Sequence, residues 1–245
     1  TSTPLPATAT PVPRMTVTPT APPPPPTCDT VTTAANIQRA VMAAVYVGMP
    51  RDDSKEYVSG SGSVIDARGL ILTNYHVVRD PATDKPYNSI DRIYVAANSS
   101  PDRTPDRVFR AEVVVFDKDL DLAVLKLIAT ERGEPVPANL GLTVVPLGDS
   151  DAVQIGDRIQ VIGYPGVGGN TVTLTEGIVS GFLSNRTWIK VNMQLSPGHS
   201  GGLAINMAGE LIGVPTRRRT STEDSGQLGL LRPISPAKPL IEKAK

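Results

Sequence analysis

Two sets of short β-type segments, with no long helical period between them, exclude more folds than any other feature of this chain. GSVID, LILTNYHVV, IYVAA, FRAEVVVFD and LAVLKLI form the first set. RIQVIGY, TVTLTEGIVSGFL, WIKVNMQL, LAINMAGELIGVPT and GLLRPIS form the second, after the Pro- and Asn-containing linker EPVPANLGL. Gly, Pro, Asp and Asn clusters punctuate both sets, as turns between strands require. A doubly wound parallel sheet needs a crossover helix after most strands, and the spacing leaves no room for one. The pattern therefore predicts an all-β fold, either two packed antiparallel barrels or a sandwich.

Helical signals are confined to the two ends. In DTVTTAANIQRAVMAAVYV, residues Val31, Ala34, Ile37 and Val41 recur at near-helical spacing behind Asp29 or Thr30 as a cap, and Val45 to Val47 turn β-like. The tail SPAKPLIEKAK offers Ser235 as a cap, Pro236 in the first turn and lysines in the last, and predicts a short closing helix. Residues 1–28 are dominated by Pro and Thr and run through PPPPP. Such a composition cannot repay the entropy of ordering and favours extended polyproline conformations, so it reads as a disordered linker, either a semi-rigid tether or a segment without a role. This divides the chain into 1–28 as linker and 29–245 as folded domain, with 29–135 and 136–245 as its halves.

With 40% hydrophobic residues among 245, the chain can bury a substantial core. Its net charge of zero provides no field to attract nucleic acid or anionic lipid, and the basic run at 217–219 is short enough to be a solvated loop. The single cysteine, Cys28, excludes an intramolecular disulfide. One cysteine and two separated histidines do not make a zinc site, so neither metal nor cofactor is expected. No apolar run approaches the roughly 18 residues of a membrane span. The sequence opens on Thr1, which leaves an upstream leader or membrane anchor open.

The chemistry turns on PGHSGG, residues 197–202. Its GxSxG core fits either the nucleophile elbow of an α/β-hydrolase or a loop that sets Ser200 beside backbone amides in a double-barrel protease. Serine must pass its proton to a base, most often histidine. An elbow enzyme has that histidine after the serine, and none follows Ser200. His199 adjoins the serine, but consecutive side chains diverge in a tight turn, and it is expected to be a partly exposed loop residue. The remaining candidate is His76, at the end of an apolar strand. A third group, a carboxylate, must hold the imidazole in the productive tautomer. Asp117, Asp119 and Asp121 alternate in FDKDLDLAVLKL, so periodicity cannot rank them; Asp121 abuts the apolar run and is favoured on that ground.

On these segments the sequence resembles the bacterial HtrA/Deg group of trypsin-like serine proteases. GSGSVIDARGLILTNYHVV is similar to that group's histidine segment, DLDLAVLK to its aspartate segment, and PGHSGGLAINMAGELIGV to its nucleophile segment. The likeness runs over about residues 35–235, with His, Asp and Ser in chymotrypsin-type order. It implies two antiparallel six-stranded β-barrels with short terminal helices. It also implies His76 as general base and acid, Asp121 as orienting partner, Ser200 as nucleophile, and Gly198, His199 and Ser200 as the oxyanion-hole segment. His199 stands where the group usually has asparagine, and Leu203 and Ala204 depart from its usual residues after the two glycines. Gln194, Leu195, Leu211, Ile212, Gly213 and Val214 are the residues the resemblance implies for substrate binding. Gln194 in place of an acid argues for an aliphatic side chain before the cut, while Asp224 keeps a basic preference open.

The resemblance further implies a polypeptide substrate, no nucleic-acid partner, an extracytoplasmic location and serine endopeptidase activity on unfolded or flexible segments. No stretch here resembles the PDZ domains that follow the protease in full-length members, so their peptide sensing is not carried over. Residues 29–45 can serve either a homotrimer or packing on their own barrel. The rival reading is a latent or non-catalytic sensor domain of a larger envelope protein.

Overall fold

The computed structural model describes residues 28–52, 57–166, 171–216 and 228–245. The Pro/Thr segment up to residue 27 and the basic run at 217–219 lie outside them. The order begins with α1 (Cys28–Ala43), β1 (Ala44–Pro50), β2 (Tyr57–Asp66), β3 (Leu70–Asn74) and the single helical turn α2 (Tyr75–Val78). It continues with β4 (Ile93–Ala97), β5 (Arg107–Asp117) and β6 (Leu122–Thr130). The second set is β7 (Arg158–Gly163), β8 (Thr173–Leu183), β9 (Trp188–Val191), β10 (Leu203–Ile205), β11 (Leu211–Pro215) and β12 (Gly229–Pro233). A 3₁₀ turn (Ser235–Ala237) and α3 (Lys238–Lys243) follow.

Each set closes on itself. The first barrel runs β1-β2-β3-β6-β5-β4 and the second β10-β11-β12-β9-β8-β7, every pairing antiparallel. Closure decides between the two architectures the sequence left open, because it removes the free edges a sandwich would keep. Two segments that read as continuous strands are broken. LILTNYHVV stops as a strand at Asn74 and turns into α2, and LAINMAGELIGVPT folds back at Gly209 into the β10–β11 pair. Gly209 has φ +77, and a Cβ there would stand 2.7 Å from the backbone oxygen of Asn36, so only glycine suits this corner against α1.

Alternation along β10 divides the core. Ala204 packs inside the second barrel, whereas Leu203 and Ile205 join a larger cluster that extends into the first barrel. That cluster continues through Leu211 and Val214 and takes in Ile234, Leu240 and Ile241 at the C-terminus. The two barrels are therefore joined by a continuous apolar seam, and the C-terminal helix packs back across it onto the first barrel. Ser235 does not cap this end. Its hydroxyl donates to Asp149 Oδ1 and accepts the Ser150 amide, and the chain enters the 3₁₀ turn from Ile234 without a side-chain cap. At the other end, α1 buries Ala40, Val41 and Ala43 against its own barrel. No helix among the described residues is long and apolar enough to cross a membrane.

Candidate active site

The register of β3 on β6 sets the first half of the site. The ladder pairs Asn74 with Leu122 as its last rung. One step further, Tyr75 N–H donates to the Asp121 carbonyl at 3.0 Å, which brings residues 76 and 121 together. His76 is then held twice by one carboxylate. Its amide donates to Asp121 Oδ1 at 2.9 Å, and its ring Nδ1 lies 2.7 Å from Asp121 Oδ2. Because Asp121 occupies Nδ1, the imidazole is oriented with Nε2 as its remaining functional nitrogen.

The same geometry ranks the three aspartates. Asp117 Oδ1 accepts the Leu120 amide within its own turn, and Asp119 is exposed. Asp121 adopts φ +54, a left-handed conformation that aspartate tolerates better than most residues. Its backbone is held there from three sides. Its N–H donates to Lys118 O at 3.1 Å, and its carbonyl accepts both Tyr75 N–H and Asn74 Nδ2, the latter at 2.8 Å. Asn74, fully buried, also donates to Thr216 Oγ1 at 2.8 Å, so it ties the Asp121 turn to the second barrel. Tyr87 donates its hydroxyl to the His76 carbonyl at 2.8 Å. Burial, reinforced by the charge of Asp80, pushes the Tyr87 phenol up, which keeps it a donor.

The second half comes from the turn between β9 and β10. Gly198 has φ +100, and a Cβ on it would stand 2.2 Å from the Tyr164 carbonyl oxygen, so no other residue fits. Four successive carbonyls of this turn are each held by a donor. Pro197 O accepts Gly166 N–H at 3.0 Å, Gly198 O accepts Ser61 Oγ at 2.6 Å, His199 O accepts Gly202 N–H at 3.0 Å and Ser200 O accepts Ser61 N–H at 2.8 Å. Peptide planarity turns each following N–H the opposite way, so the directions of the Gly198 and Ser200 amides are set by these contacts. The His199 amide is instead committed to Ser196 O at 3.2 Å, so it does not act as an oxyanion donor. The His199 ring is buried rather than partly exposed. Its Nδ1 lies 3.2 Å from Ser196 N, and its Nε2 has no hydrogen-bond partner among the described residues. Burial holds its pKa below the usual imidazole range.

His76, Asp121, Gly198 and Ser200 all line one cleft of about 810 Å³ between the two barrels. Trp188 and Arg232 form another part of the wall, the guanidinium stacked 3.6 Å over the indole, and Arg232 also donates to Asp119 O across the seam. Neither was singled out in the sequence, where a tryptophan in WIKV and an arginine in GLLRP carry no local signal. The six residues implied for substrate binding do not line this cleft. Gln194 is exposed and Leu195 packs on the second barrel's core. Leu211, Ile212 and Val214 are fully or almost fully buried, and Gly213 sits in the β11 ladder opposite Pro233. Strand side chains that fill the core cannot also face a ligand. Thr216, just past β11, does reach the wall. Residues 217–227, among them Asp224, and residues 167–170 lie outside the described residues.

The model of the trypsin-like peptidase domain family matches residues 60–214. The chain belongs to that family. Among curated relatives it is 31% identical over 194 residues to "Serine endoprotease DegS" of Salmonella typhimurium, covering 75% of this chain and 47% of the relative. It is 34% identical over 189 residues to "Putative serine protease HhoA" of Synechocystis sp., covering 73% and 41%. A solved serine endoprotease from Yersinia pestis superposes with a TM-score of 0.65 at 30% identity, over 86% of this chain and 66% of that one. The HtrA-type protease AlgW with tripeptide gives 0.65 at 29%, over 86% and 62%. The HtrA-type likeness and the two-barrel architecture read from the sequence therefore stand. The chain spans about half the length of the curated relatives it matches.

Proposed function

We propose that this domain is a serine endopeptidase acting on unfolded or flexible polypeptide segments. In this reading Ser200 Oγ attacks the peptide carbonyl while His76 Nε2 takes its proton, and Asp121 holds the imidazole and stabilises the imidazolium. The Gly198 and Ser200 amides receive the developing oxyanion. His76 then protonates the leaving amine, and water, activated by the same ring, releases the acyl-enzyme. The observation that carries the reading is the doubly held His76–Asp121 pair sharing one cleft with Ser200, each half supplied by a different barrel. The printed names of the relatives, serine endoproteases and proteases, support the reaction class.

The experiment is labelling with a fluorophosphonate. Wild type takes the label and Ser200→Ala does not; absence of labelling in both, under every activating condition tried, would favour the latent sensor instead. An extracytoplasmic location is proposed by analogy with relatives such as "Probable periplasmic serine endoprotease DegP-like" of Chlamydia muridarum. A homotrimer through residues 29–45 rests on the family likeness, and α1 already places part of its apolar face against its own barrel.

A further inference from the structure

Of the four carbonyls that orient the turn 197–200, two are held by one residue of the opposite barrel. Ser61, in β2, donates its amide to Ser200 O at 2.8 Å and its hydroxyl to Gly198 O at 2.6 Å. It is fully buried, and its Oγ accepts the Tyr164 amide at 2.8 Å. That occupied acceptor position directs the single hydroxyl proton toward Gly198, so the bond has one direction rather than a choice. The other three carbonyls are held by backbone amides, which leaves the Ser61 hydroxyl as the one side-chain contribution among the four. The facing Gly163 leaves room for it: a Cβ there would stand 2.8 Å from Ser61 Oγ.

We propose that the Ser61 hydroxyl is the positioning group for the oxyanion turn, fixing the 198–199 peptide across the seam so that the Gly198 and Ser200 amides face the cleft together. This rests on the peptidase reading above. Ser61 touches no reacting atom; it acts through Gly198. Glycine at φ +100 is the hinge at which that turn has most freedom to rotate, and a cross-barrel hydroxyl is what removes the freedom. The consequence is that assembly of the oxyanion site depends on correct docking of the first barrel on the second, beyond the meeting of His76 with Ser200.

The test compares fluorophosphonate labelling rates, thermal melts and turnover of an unfolded protein substrate for wild type, Ser61→Ala, Ser61→Cys and Ser63→Ala. Ser63 is a fitting comparator because it is equally buried on the same face of β2 but reaches only Gly202 O, at 3.4 Å. Ser61→Ala is expected to label about 10- to 100-fold more slowly, below the roughly 10²- to 10³-fold cost of deleting an oxyanion donor outright, with the loss in kcat rather than KM. Ser61→Cys keeps the packing and weakens the donor, so it falls between wild type and Ser61→Ala, and it decides the matter if Ser61→Ala does not fold. Ser63→Ala stays within about threefold of wild type. Equal rates for wild type and the Ser61 variants overturn the positioning role and leave the peptidase reading standing, as does a Ser63→Ala loss as large as that of Ser61→Ala. A wild type that labels no faster than Ser200→Ala overturns both.

Discussion

Replacing Asn74 with alanine probes a buried side chain that connects the Asp121 turn to the second barrel. Its amide donates to Asp121 O and Thr216 Oγ1, both at 2.8 Å, and Thr216 passes the chain on to Val214 O at 3.2 Å. The Asp121 carbonyl keeps its bond from Tyr75 N–H after the substitution, so it is weakened rather than orphaned. Two buried hydrogen bonds at about 1 kcal/mol each, with a small cavity added, give a loss near 3 kcal/mol. Asn74 Oδ1 has no partner among the described residues, and removing that desolvated oxygen returns about 1 kcal/mol. The net is about 2 kcal/mol, or a fall in Tm of about 4–8 °C for a domain of this size. Thermal and urea melts of Asn74→Ala, Thr216→Val and the double variant measure it. Since the two single changes delete one shared bond, the double variant should be about 1 kcal/mol more stable than their sum predicts. Strict additivity, or a loss in Asn74→Ala below about 0.5 kcal/mol, would refute the reasoning, because the bridge would then carry no energy.

Three further outcomes follow from the site. Asp121→Asn keeps the shape but loses the charge that selects the His76 tautomer, and the labelling rate at neutral pH should drop by about 10⁴-fold with circular dichroism unchanged. Gly198→Ala forces a Cβ to within 2.2 Å of Tyr164 O at φ +100, so the turn must move and labelling should be lost even where the melt shows a folded protein. His199 has a pKa lowered by burial, so its neutral form contributes stability that is complete above the ordinary imidazole range and is lost as pH falls through the folded-state value. The Tm of wild type should accordingly decline more steeply on acidification below neutral pH than that of His199→Asn; parallel curves would show that the ring does not titrate on unfolding.

Much of this protein is legible without coordinates because its β segments carry their own punctuation. The strand-forming runs around residues 93–97 and 122–128 are short, apolar and bounded by turn residues, and they fold as strands with little change of boundary. The misread segments are those where a tertiary contact overrides local pattern. YHVV has the composition of a strand, yet it winds into a helical turn that leaves Tyr75 and Val77 buried and His76 facing Asp121. His199 reads as a partly exposed loop residue, yet a turn folded back on Ser196 buries its ring. Leu211, Ile212 and Val214, which the resemblance implies for substrate binding, face the core, because a closed barrel leaves its ligand-facing positions at strand ends and turns.

By itself the sequence determined the local chemistry: which segments are strands, that a glycine at 198 suits a turn beside Ser200, and that His76 is the better candidate of the two histidines to serve Ser200 as a base. Those properties depend on a side chain and its few neighbours along the chain. Which aspartate meets the histidine, and which residue steadies the turn at Gly198, were decided only by the tertiary structure. Both are relations between segments far apart along the chain, such as Asn74 opposite Leu122 in the β3–β6 register and Ser61 against Ser200 across the seam, and they become defined only when the barrels close and dock.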